Sequence, residues 1–372
     1  MIKVLFLIHD LGQGGAEKVL VNLVNNMDLN RFDISVIALF GGGVNEQFLR
    51  PEIKYRSVFS KMFPGNSHVM KILSPESLHK WFVKENYDVE ISYLEGPSAR
   101  VISGCRNPKT KIVSWIHVEQ HNIETLAFSF RSAKEAMNCY NQFDKTVCVS
   151  EFVKKDFISI LNYRGDATVL YNTIESEKVR TLSQEKEELL QKDGKIRLVA
   201  VGTLKESKGY GRLLIIIKKL LLENYPVHLY VLGEGPMRAE IEQYIRANDM
   251  DEAVTLLGYQ TNPYKYVANC DLLVCASFAE GFSTAVTEAL ILGTPVCTVD
   301  VSGMRELLGN NNEYGIVTAN DENALYKGIK TLLDDDCLMK HYKQQAKCRG
   351  SKFETRSTVA AVEEMLLRCV ED

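Results

Sequence analysis

Short apolar runs alternate with helical patterns along the whole 372-residue chain. The runs have the length of strands, and the segments between them place apolar residues at the spacing of amphipathic helices. Strands that are apolar throughout are typical of parallel sheets covered by helices on both faces. The pattern therefore predicts two series of βα units. The predicted strands are Lys3–Ile8, Asp33–Leu39, Val89–Tyr93, Lys111–Trp115, Lys145–Val149 and Thr168–Leu170, then Ile196–Val201, Val227–Leu232, Val254–Leu256, Leu272–Cys275 and Pro295–Val299.

A charged stretch from Glu175 to Lys192 separates the two series and is predicted to be a partly helical connection. A chain of this length normally forms two hydrophobic cores. We therefore predict α/β domains with doubly wound parallel sheets at residues 1–175 and 176–351, and ligands in a cleft at the carboxyl ends of their strands. Residues 352–372 are predicted to form a helix that packs back toward the N-terminal domain. Its apolar face would consist of Val359, Val362, Met365, Leu366 and Val370.

Composition and charge are those of an ordinary globular protein, with 45% hydrophobic residues, 25% charged residues and a formal net charge of −4. The acidic balance argues against nucleic acid as a partner. The apolar run Val4–Ile8 is too short for a signal peptide, and no run reaches the length of a membrane span. The nine cysteines are scattered without a C-x-x-C pair, which favours reduced thiols in a cytoplasmic protein over disulfides or a zinc site.

Cationic and large apolar residues are mixed in the first half, at Lys61–Phe63, Lys71 and Lys80–Lys84. Such a mixture can rest on an anionic membrane surface. The same pattern also describes a helix whose apolar stripe faces the core and whose lysines are solvated. The second interpretation is the simpler one, and peripheral contact with a membrane stays open.

Two glycine-rich turns follow predicted strands. Residues 12–17, Gly-Gln-Gly-Gly-Ala-Glu, open a helix, and the free amides of such a turn can hold an anion or can simply allow a tight turn. The turn fits neither the P-loop nor the G-x-G-x-x-G spacing. This argues against an ATPase and against a nicotinamide-dependent oxidoreductase. In the second turn, Lys208 precedes a helix predicted to start at Gly209. A cation is unfavourable at a helix N-terminus, so a bound phosphate explains Lys208 better than a surface lysine does.

Two glutamates, Glu280 and Glu288, stand eight residues apart around a predicted strand-to-helix turn. If the helix begins near Ser283, Glu280 lies in the loop before it and Glu288 faces inward about one and a half turns later. The amides of residues 282–285 could then hold a pyrophosphate, while both carboxylates accept hydrogen bonds from sugar hydroxyls.

With these motifs the chain resembles the retaining nucleotide-sugar glycosyltransferases of family 4. The resemblance implies the GT-B fold, with an acceptor-side Rossmann-like domain facing a nucleotide-sugar-binding one across a cleft. It runs over nearly the whole length of the chain. The matched positions are Gly14–Glu17, His117, Val149–Glu151, Asn172–Ile174, Gly202, Lys208–Gly209, Gly233–Pro236, Leu257–Tyr259, and the E-x7-E pair with Gly293–Val296 after it.

Three residues carry the catalytic roles that the resemblance implies. Lys208 would neutralise the diphosphate, Glu280 would bind hydroxyls of the transferred sugar, and His117 would line the pocket of that sugar. We prefer His117 as a sugar ligand over His117 as a general base. The other matched residues are expected to bind the donor, with Glu288 on the ribose and the backbone near Tyr259 reading the base. These donor-binding residues are Gly14, Gly15, Gly202, Thr203, Lys205, Gly258, Tyr259, Gly281, Phe282, Ser283, Thr284, Ala285 and Glu288.

The chain departs from the family pattern at Thr203, where an arginine is usual, and this leaves Lys208 as the matched cation. Lys205 is a candidate substitute. Because amides, a helix N-terminus and Lys208 can stabilise the leaving diphosphate, no metal or other cofactor is expected. The stretch Asp334–Asp336 matches the D-x-D of metal-dependent transferases, but it lies between helices and is predicted to be a helix cap. Retention is open to double displacement or to attack on the same face, and we prefer the latter because no matched carboxylate is an obvious nucleophile.

The resulting hypothesis is a retaining, metal-independent transfer of a hexose or N-acetylhexosamine from a nucleotide sugar to a glycan. By resemblance, the base is uridine and the acceptor is a lipid-linked intermediate of a bacterial surface polysaccharide. Such an enzyme would be cytoplasmic, with peripheral contact at the inner face of the plasma membrane. Two alternatives remain. A GT-B epimerase or hydrolase would turn over donor without acceptor, and a silent sugar-nucleotide-binding subunit is supported only by Thr203.

Overall fold

The computed structural model describes residues 1–63, 70–186 and 194–371. They form two compact units, and each has its own sheet and its own core. The first unit comprises Met1–Thr173 together with the C-terminal segment that starts at Thr355. The second unit comprises Ile174–Glu354.

The first unit is built on a seven-stranded parallel sheet with the order β3-β2-β1-β4-β5-β6-β7. The central strand β1 pairs on both sides, so that Val4 lies opposite Ile34 of β2 and Val89 of β4. Its interior residues are fully buried, as a doubly covered sheet requires. The strands are β1 Ile2–Ile8, β2 Phe32–Phe40, β3 Lys54–Phe59, β4 Val89–Ser92, β5 Lys111–Ile116, β6 Lys145–Cys148 and β7 Asp166–Val169.

The second unit is built on a six-stranded parallel sheet with the order β10-β9-β8-β11-β12-β13. Apolar residues of the strands and of the flanking helices, among them Leu198, Ile217, Val231 and Leu325, form its core. The two doubly wound sheets predicted from the sequence are thereby confirmed. The strands are β8 Ile196–Val201, β9 Val227–Leu232, β10 Val254–Gly258, β11 Leu272–Cys275, β12 Val296–Val299 and β13 Ile316–Thr318.

Helices connect successive strands in both units and cover the sheets. Short 3-10 turns lie at Glu46–Phe48, Ala127–Ser129, Glu206–Lys208 and Ser351–Phe353. The α-helices are α1 Gly15–Asn26, α2 Pro75–Phe82, α3 Pro97–Ile102, α4 Ile123–Leu126, α5 Ala133–Tyr140, α6 Glu151–Leu161, α7 Ser176–Ser183, α8 Tyr210–Leu222, α9 Arg238–Ala247, α10 Tyr264–Asn269, α11 Thr284–Leu292, α12 Met304–Leu308, α13 Glu322–Asp334, α14 Asp336–Gly350 and α15 Thr355–Glu371.

The connecting segment predicted at Glu175–Lys192 is helical at α7, and its last part lies outside the described residues. The aspartate stretch before α14 caps that helix as predicted. The Asp335 carboxylate accepts hydrogen bonds from the amides of Cys337 and Leu338, at 2.9 and 3.0 Å. Such a cap stabilises the start of a helix by about 1 kcal/mol.

The C-terminal helix α15 belongs to the first unit, where it packs against α1 and β4. Its buried residues include four of the five predicted apolar ones, whereas Val370 is 41% exposed, contrary to prediction. The Glu363 carboxylate accepts a hydrogen bond from the amide of Asp28, at 2.7 Å. All nine cysteines are free thiols, as predicted. None of the helices within the described ranges has the length and apolar character needed to cross a membrane.

Candidate active site

The carboxyl ends of β8, β9 and β10 are closed by glycines. Gly233 donates a hydrogen bond to the carbonyl of Gly258 at 2.8 Å, and Gly202 donates to the carbonyl of Leu232 at 2.9 Å. A Cβ atom on Gly233 would lie 2.0 Å from the Gly202 carbonyl oxygen, so only glycine permits this approach. Gly202 and Gly258, both predicted to bind the donor, therefore line the edge of the sheet where ligands of such folds bind.

Lys208 ends the 3-10 turn Glu206–Lys208, and Gly209 follows it in the left-handed conformation, with φ of 65°. The predicted helix starts one residue later than expected, at Tyr210, with Gly209 as its N-cap. A Cβ atom on Gly209 would lie 1.9 Å from the Ala276 carbonyl oxygen. The loop after β8 is thus pressed against the loop after β11, and the Phe278 amide donates to the Ser207 carbonyl across this contact at 2.7 Å.

The contact between these loops brings together two predicted catalytic residues. The Lys208 ammonium lies 2.6 Å from Oε1 of Glu280, and both side chains are largely buried. Ser277 Oγ donates a second hydrogen bond to the same carboxylate oxygen, at 2.5 Å. The pair holds a cation and a hydrogen-bond acceptor in fixed positions at the carboxyl end of β11.

Arg212, which the sequence analysis missed, fixes the loop after β11. Its guanidinium donates to the carbonyls of Ala276 and Ser277 at 2.7 and 2.8 Å, and to Asn320 Oδ1 at 2.8 Å. It also lies 4.1 Å from the centre of the Phe278 ring. An arginine in the otherwise apolar start of α8 was the signal available in the sequence. By bonding the carbonyl of Ser277, it orients the residue that contacts Glu280.

The helix α11 begins as predicted, at Thr284, with Ser283 as its N-cap. Ser283 Oγ accepts a hydrogen bond from the Val286 amide at 3.4 Å. The predicted donor-binding stretch from Gly281 to Ala285 is therefore a strand-to-helix turn. Its last residues form the N-terminus of α11, where free amides favour the binding of an anion.

Glu288 lies on the inward face of α11 and is 5% exposed. Tyr264 donates a hydrogen bond from its hydroxyl to the Glu288 carboxylate at 3.3 Å. Three further predicted residues, Thr203, Lys205 and Tyr259, are exposed at the ends of the neighbouring strands. The Tyr259 ring is 59% exposed, which leaves it free to contact a ligand.

In the first unit, α1 starts at Gly15 with Gly14 as an N-cap that has no side chain. The space before this helix is already used by the protein. A Cβ atom on Gly14 would lie 2.0 Å from a Glu17 carboxylate oxygen, and the Gly12 amide donates to Asp10 at 2.7 Å. Burial raises the pKa of Glu17. A phosphate at this turn, one of the two interpretations that the sequence left open, would have to displace the Glu17 carboxylate.

His117 follows β5 in the first unit and is buried against Tyr93, with 4.8 Å between ring centres. Burial lowers the pKa of His117 to about 3, against a hydrogen bond between the ring and the Tyr93 backbone. Among the described residues, Nε2 of the ring has no hydrogen-bond partner. Nδ1 therefore makes the Tyr93 contact, and the lone pair of the neutral ring is on Nε2, which is buried.

Glu95 is a second residue at this place, and the sequence analysis assigned it no specific role. Its carboxylate accepts hydrogen bonds from the His117 amide at 3.1 Å and from Gln120 Nε2 at 3.4 Å. Burial raises the pKa of Glu95 to about 7. A carboxylate in the loop after β4, near the carboxyl end of a strand, was the signal for it. The side chain can therefore hold or release a proton near neutral pH.

Two family models match the chain, one in each half. The model described as Glycosyltransferase Family 4 matches residues 13–178, and the model described as Glycosyl transferases group 1 matches residues 183–349. The matched ranges together span nearly the whole chain. The chain belongs to glycosyltransferase family 4.

Two relatives of this glycosyltransferase come from Campylobacter jejuni subsp. jejuni serotype O:2. N-acetylgalactosamine-N,N'-diacetylbacillosaminyl-diphospho-undecaprenol 4-alpha-N-acetylgalactosaminyltransferase is 29% identical over 95% of this chain and 96% of the relative. GalNAc-alpha-(1->4)-GalNAc-alpha-(1->3)-diNAcBac-PP-undecaprenol alpha-1,4-N-acetyl-D-galactosaminyltransferase is 25% identical over 95% of each chain. The crystal structure of Anabaena Alr3699/HepE in complex with UDP and glucose superposes with a TM-score of 0.79, at 19% identity over 99% of this chain and 100% of that one. This likeness confirms the predicted GT-B fold of the glycosyltransferase.

Proposed function

We propose that this glycosyltransferase transfers an N-acetylhexosamine or hexose from a UDP-linked donor to a lipid-linked glycan, with retention of the anomeric configuration and without a metal ion. The acceptor class and the N-acetylhexosamine are suggested by the names of the two Campylobacter relatives, both of which act on diphospho-undecaprenol-linked or PP-undecaprenol-linked sugars. Uridine is carried over from the family resemblance.

The observation that carries the proposal is the partly buried Lys208–Glu280 pair, which joins the loops after β8 and β11. A pair that served stability alone would be replaceable by apolar side chains of similar size at little cost. Here a hydrogen bond from Ser277, itself held by Arg212, adds a third fixed group. A donor site requires polar groups held rigidly in this way, and this supports the proposal.

The donor would bind in the second unit. Its diphosphate would contact Lys208 and the amides of the turn before α11, and Glu280 would accept hydrogen bonds from the sugar. Glu288 would bind the ribose. As the bond between the anomeric carbon and the diphosphate breaks, negative charge grows on the leaving oxygen. Fixed positive groups of this kind are each worth about 3 kcal/mol in the transition state.

Retention would follow from attack on the face that the diphosphate leaves. The acceptor hydroxyl oxygen bonds to the anomeric carbon, and its proton passes to the leaving diphosphate oxygen. His117 would act as a ligand of a sugar hydroxyl through Nε2, because a pKa of about 3 makes its ring a weak base. Trapping of a covalent sugar adduct on Glu280 would instead establish double displacement.

Peripheral contact with the inner face of the plasma membrane, in the cytoplasm, is part of the proposal. The Phe128 patch, which consists of Lys71, Ile72, Phe128 and Arg131, supports it. Phe128 and Ile72 are 73% and 71% exposed, and the Lys71 ammonium lies 5.3 Å from the Phe128 ring centre. The stretch around Trp81, which the sequence analysis also named as a membrane contact, supports the proposal only in part. Helix α2 buries Leu78 and Phe82, and only Trp81, at 49% exposed, remains for such a contact.

Vesicle binding tests this patch against a matched control. Phe128→Ala should reduce cosedimentation with vesicles that contain anionic lipid. Phe152→Ala, which removes a similarly exposed ring from α6 of the same unit, should not. Equal binding by both variants and the parent protein would remove the patch from the proposal.

The donor is identified by measuring binding and turnover of UDP-, GDP- and ADP-sugars in the presence of EDTA, with and without a diphospho-undecaprenol-linked acceptor. We expect one UDP-sugar to bind, transfer to need the acceptor, and Glu280→Ala to lose transfer. Turnover without acceptor at the same rate would favour a hydrolase or epimerase. Absence of binding to every donor would favour the silent subunit.

A further inference from the structure

A second group of polar side chains lies in the first unit, near the amino end of β4. His79 of α2, Glu90 of β4 and Cys105 after α3 each offer one metal-binding atom, and these atoms all lie within 4.8 Å of one another. His79 Nε2 and Glu90 Oε2 are 2.6 Å apart. Glu95 and His117 of the candidate active site lie instead beyond the carboxyl ends of β4 and β5.

Glu90 is an unusual residue for its place. It lies between Val89 and Ile91 on an interior strand that pairs with β1 and β5, and it is 2% exposed. Burial of a carboxylate is costly unless it is paired, and an apolar residue would normally stabilise such a position better. The His79 imidazole and the Cys105 thiol both lie beside the Glu90 carboxylate and offset this cost.

The cluster is open to small ligands. A cavity of about 360 Å³ is lined by His79, Glu90 and Cys105, and by residues before β4 and after α3. His79 is partly exposed, whereas Cys105 is 9% exposed. A bound ion would therefore be held from the protein side and would keep one coordination position toward the cavity.

We infer that His79, Glu90 and Cys105 form a binding site for one divalent transition-metal ion, with Zn²⁺ as the best match. Zn²⁺ takes imidazole nitrogen, carboxylate oxygen and thiolate sulfur together, at about 2.0–2.3 Å, and four-coordination leaves a position for water. The ion would replace the proton shared by His79 and Glu90 and the proton of the Cys105 thiol.

The spacing of 11 and 15 residues between these ligands fits no metal-binding motif, so the sequence predicted no such site. The inference is independent of the proposed transfer reaction. The ion would support the fold, because it joins α2, β4 and the segment after α3. Sugar transfer in EDTA and metal binding can accordingly succeed or fail separately.

Cobalt titration of the full-length protein tests the site. The protein is first stripped with EDTA and dialysed, and Co²⁺ is then added while thiolate-to-cobalt charge-transfer absorption is recorded. We expect one equivalent of Co²⁺ to produce the band and Zn²⁺ to displace it. Cys105→Ala should abolish the band. Cys139→Ala, which removes another buried thiol of the same unit, should keep it.

Glu90→Gln provides a second readout, because glutamine retains a hydrogen-bonding group beside His79. We expect its Zn²⁺ affinity to fall at least about 10-fold. We also expect Zn²⁺ to raise the unfolding temperature of the parent protein but not that of Cys105→Ala. Circular dichroism shows whether each variant is folded. A band that persists in Cys105→Ala, or a folded parent protein without the band, would reduce the cluster to a structural ion pair and overturn the inference.

Discussion

At the scale of single residues, Lys208 is held by Glu280 in the absence of a ligand, so binding of a diphosphate adds an anion to a cation that is already in place. Lys208→Ala is expected to weaken donor binding by about 10- to 100-fold, because a charge-assisted hydrogen bond contributes about 1.5–3 kcal/mol. Isothermal titration with the preferred UDP-sugar measures the change.

Lys205→Ala is the matched control, since Lys205 is exposed in the same loop. An unchanged affinity in this variant would count against Lys205 as the substitute for the arginine that Thr203 replaces. If Lys205→Ala lost affinity while Lys208→Ala did not, the assignment of the phosphate to Lys208 would be wrong.

The pKa values of Glu95 and His117 are shifted in opposite directions. We therefore predict that their effects on the free energy of unfolding partly cancel as pH changes. The raised pKa of Glu95, about 7 against an ordinary 4.5, gives stability that is full at low pH and is lost as pH rises to 7. The lowered pKa of His117, about 3 against 6.5, gives stability that is lost as pH falls. Between about pH 4.5 and 6.5 the two slopes oppose each other.

Substitution of either residue should reveal the pH dependence of the unfolding free energy that the other residue causes. From about pH 4 to 8, Glu95→Gln should gain about 3 kcal/mol in unfolding free energy relative to the parent protein. Urea unfolding followed by tryptophan fluorescence measures this. His117→Gln should instead gain unfolding free energy relative to the parent protein as pH falls from about 6.5 to 3. Parallel pH curves for all three proteins would show that neither pKa is shifted by burial.

The sequence analysis identified those candidate site residues that can be recognised from their spacing and from the elements next to them in the chain. Glu280 and Glu288 follow from one strand-to-helix turn, and Lys208 follows from its place before a helix. Arg212 was missed, and Glu95 was assigned no role, because their partners are distant in sequence. Arg212 bonds carbonyls 64 and 65 residues away, and Glu95 bonds an amide 22 residues away. Contacts of this kind appear only when strands are placed side by side.

At the scale of elements, the conformation of the loop after β8 requires glycine at position 209 but not at position 211. Gly209→Ala would place a methyl group 1.9 Å from a backbone oxygen at a positive φ, and should lower the unfolding free energy by at least about 2 kcal/mol. Gly211→Ala, in the first turn of α8 with open space around its Cβ, should raise it by about 0.5–1 kcal/mol. Chemical denaturation of both variants measures the difference.

Donor affinity separates the two variants further. Gly209→Ala moves the loop that holds Lys208, and its affinity should fall, whereas Gly211→Ala should bind like the parent protein. A Gly209→Ala protein with unchanged stability and affinity would show that the two loops can separate without consequence.

The two strands that the sequence analysis missed, β3 and β13, each lie at one edge of a sheet, whereas the opposite edges, β7 and β10, were predicted. β3 has no fully buried residue, because one of its sides is unpaired and its residues alternate with polar ones. β13 has three residues, too few for a hydrophobic run to be recognised. The interior strands were found because burial on both faces makes them apolar throughout.

At the scale of the whole molecule, the chain forms two units with separate cores, and α15 completes the first from the far end of the sequence. Both tryptophans, Trp81 and Trp115, lie in the first unit, so tryptophan fluorescence reports on that unit alone, while far-ultraviolet circular dichroism reports on both. Leu366 of α15 and Leu325 of α13 are each fully buried, one in each unit. They form a matched pair of equal chemistry and equal burial.

Leu366→Ala should destabilise the first unit by about 2–5 kcal/mol, through lost apolar burial and the cavity left behind, and should lower the fluorescence midpoint in urea. Leu325→Ala should cost the second unit a similar amount and should shift the dichroism transition while the fluorescence midpoint stays in place. This outcome requires each unit to unfold on its own, as expected for domains with separate cores. If Leu325→Ala moved the fluorescence midpoint as far as Leu366→Ala does, the two units would unfold as one cooperative body, and donor binding in the second unit would then stabilise the first to the same extent.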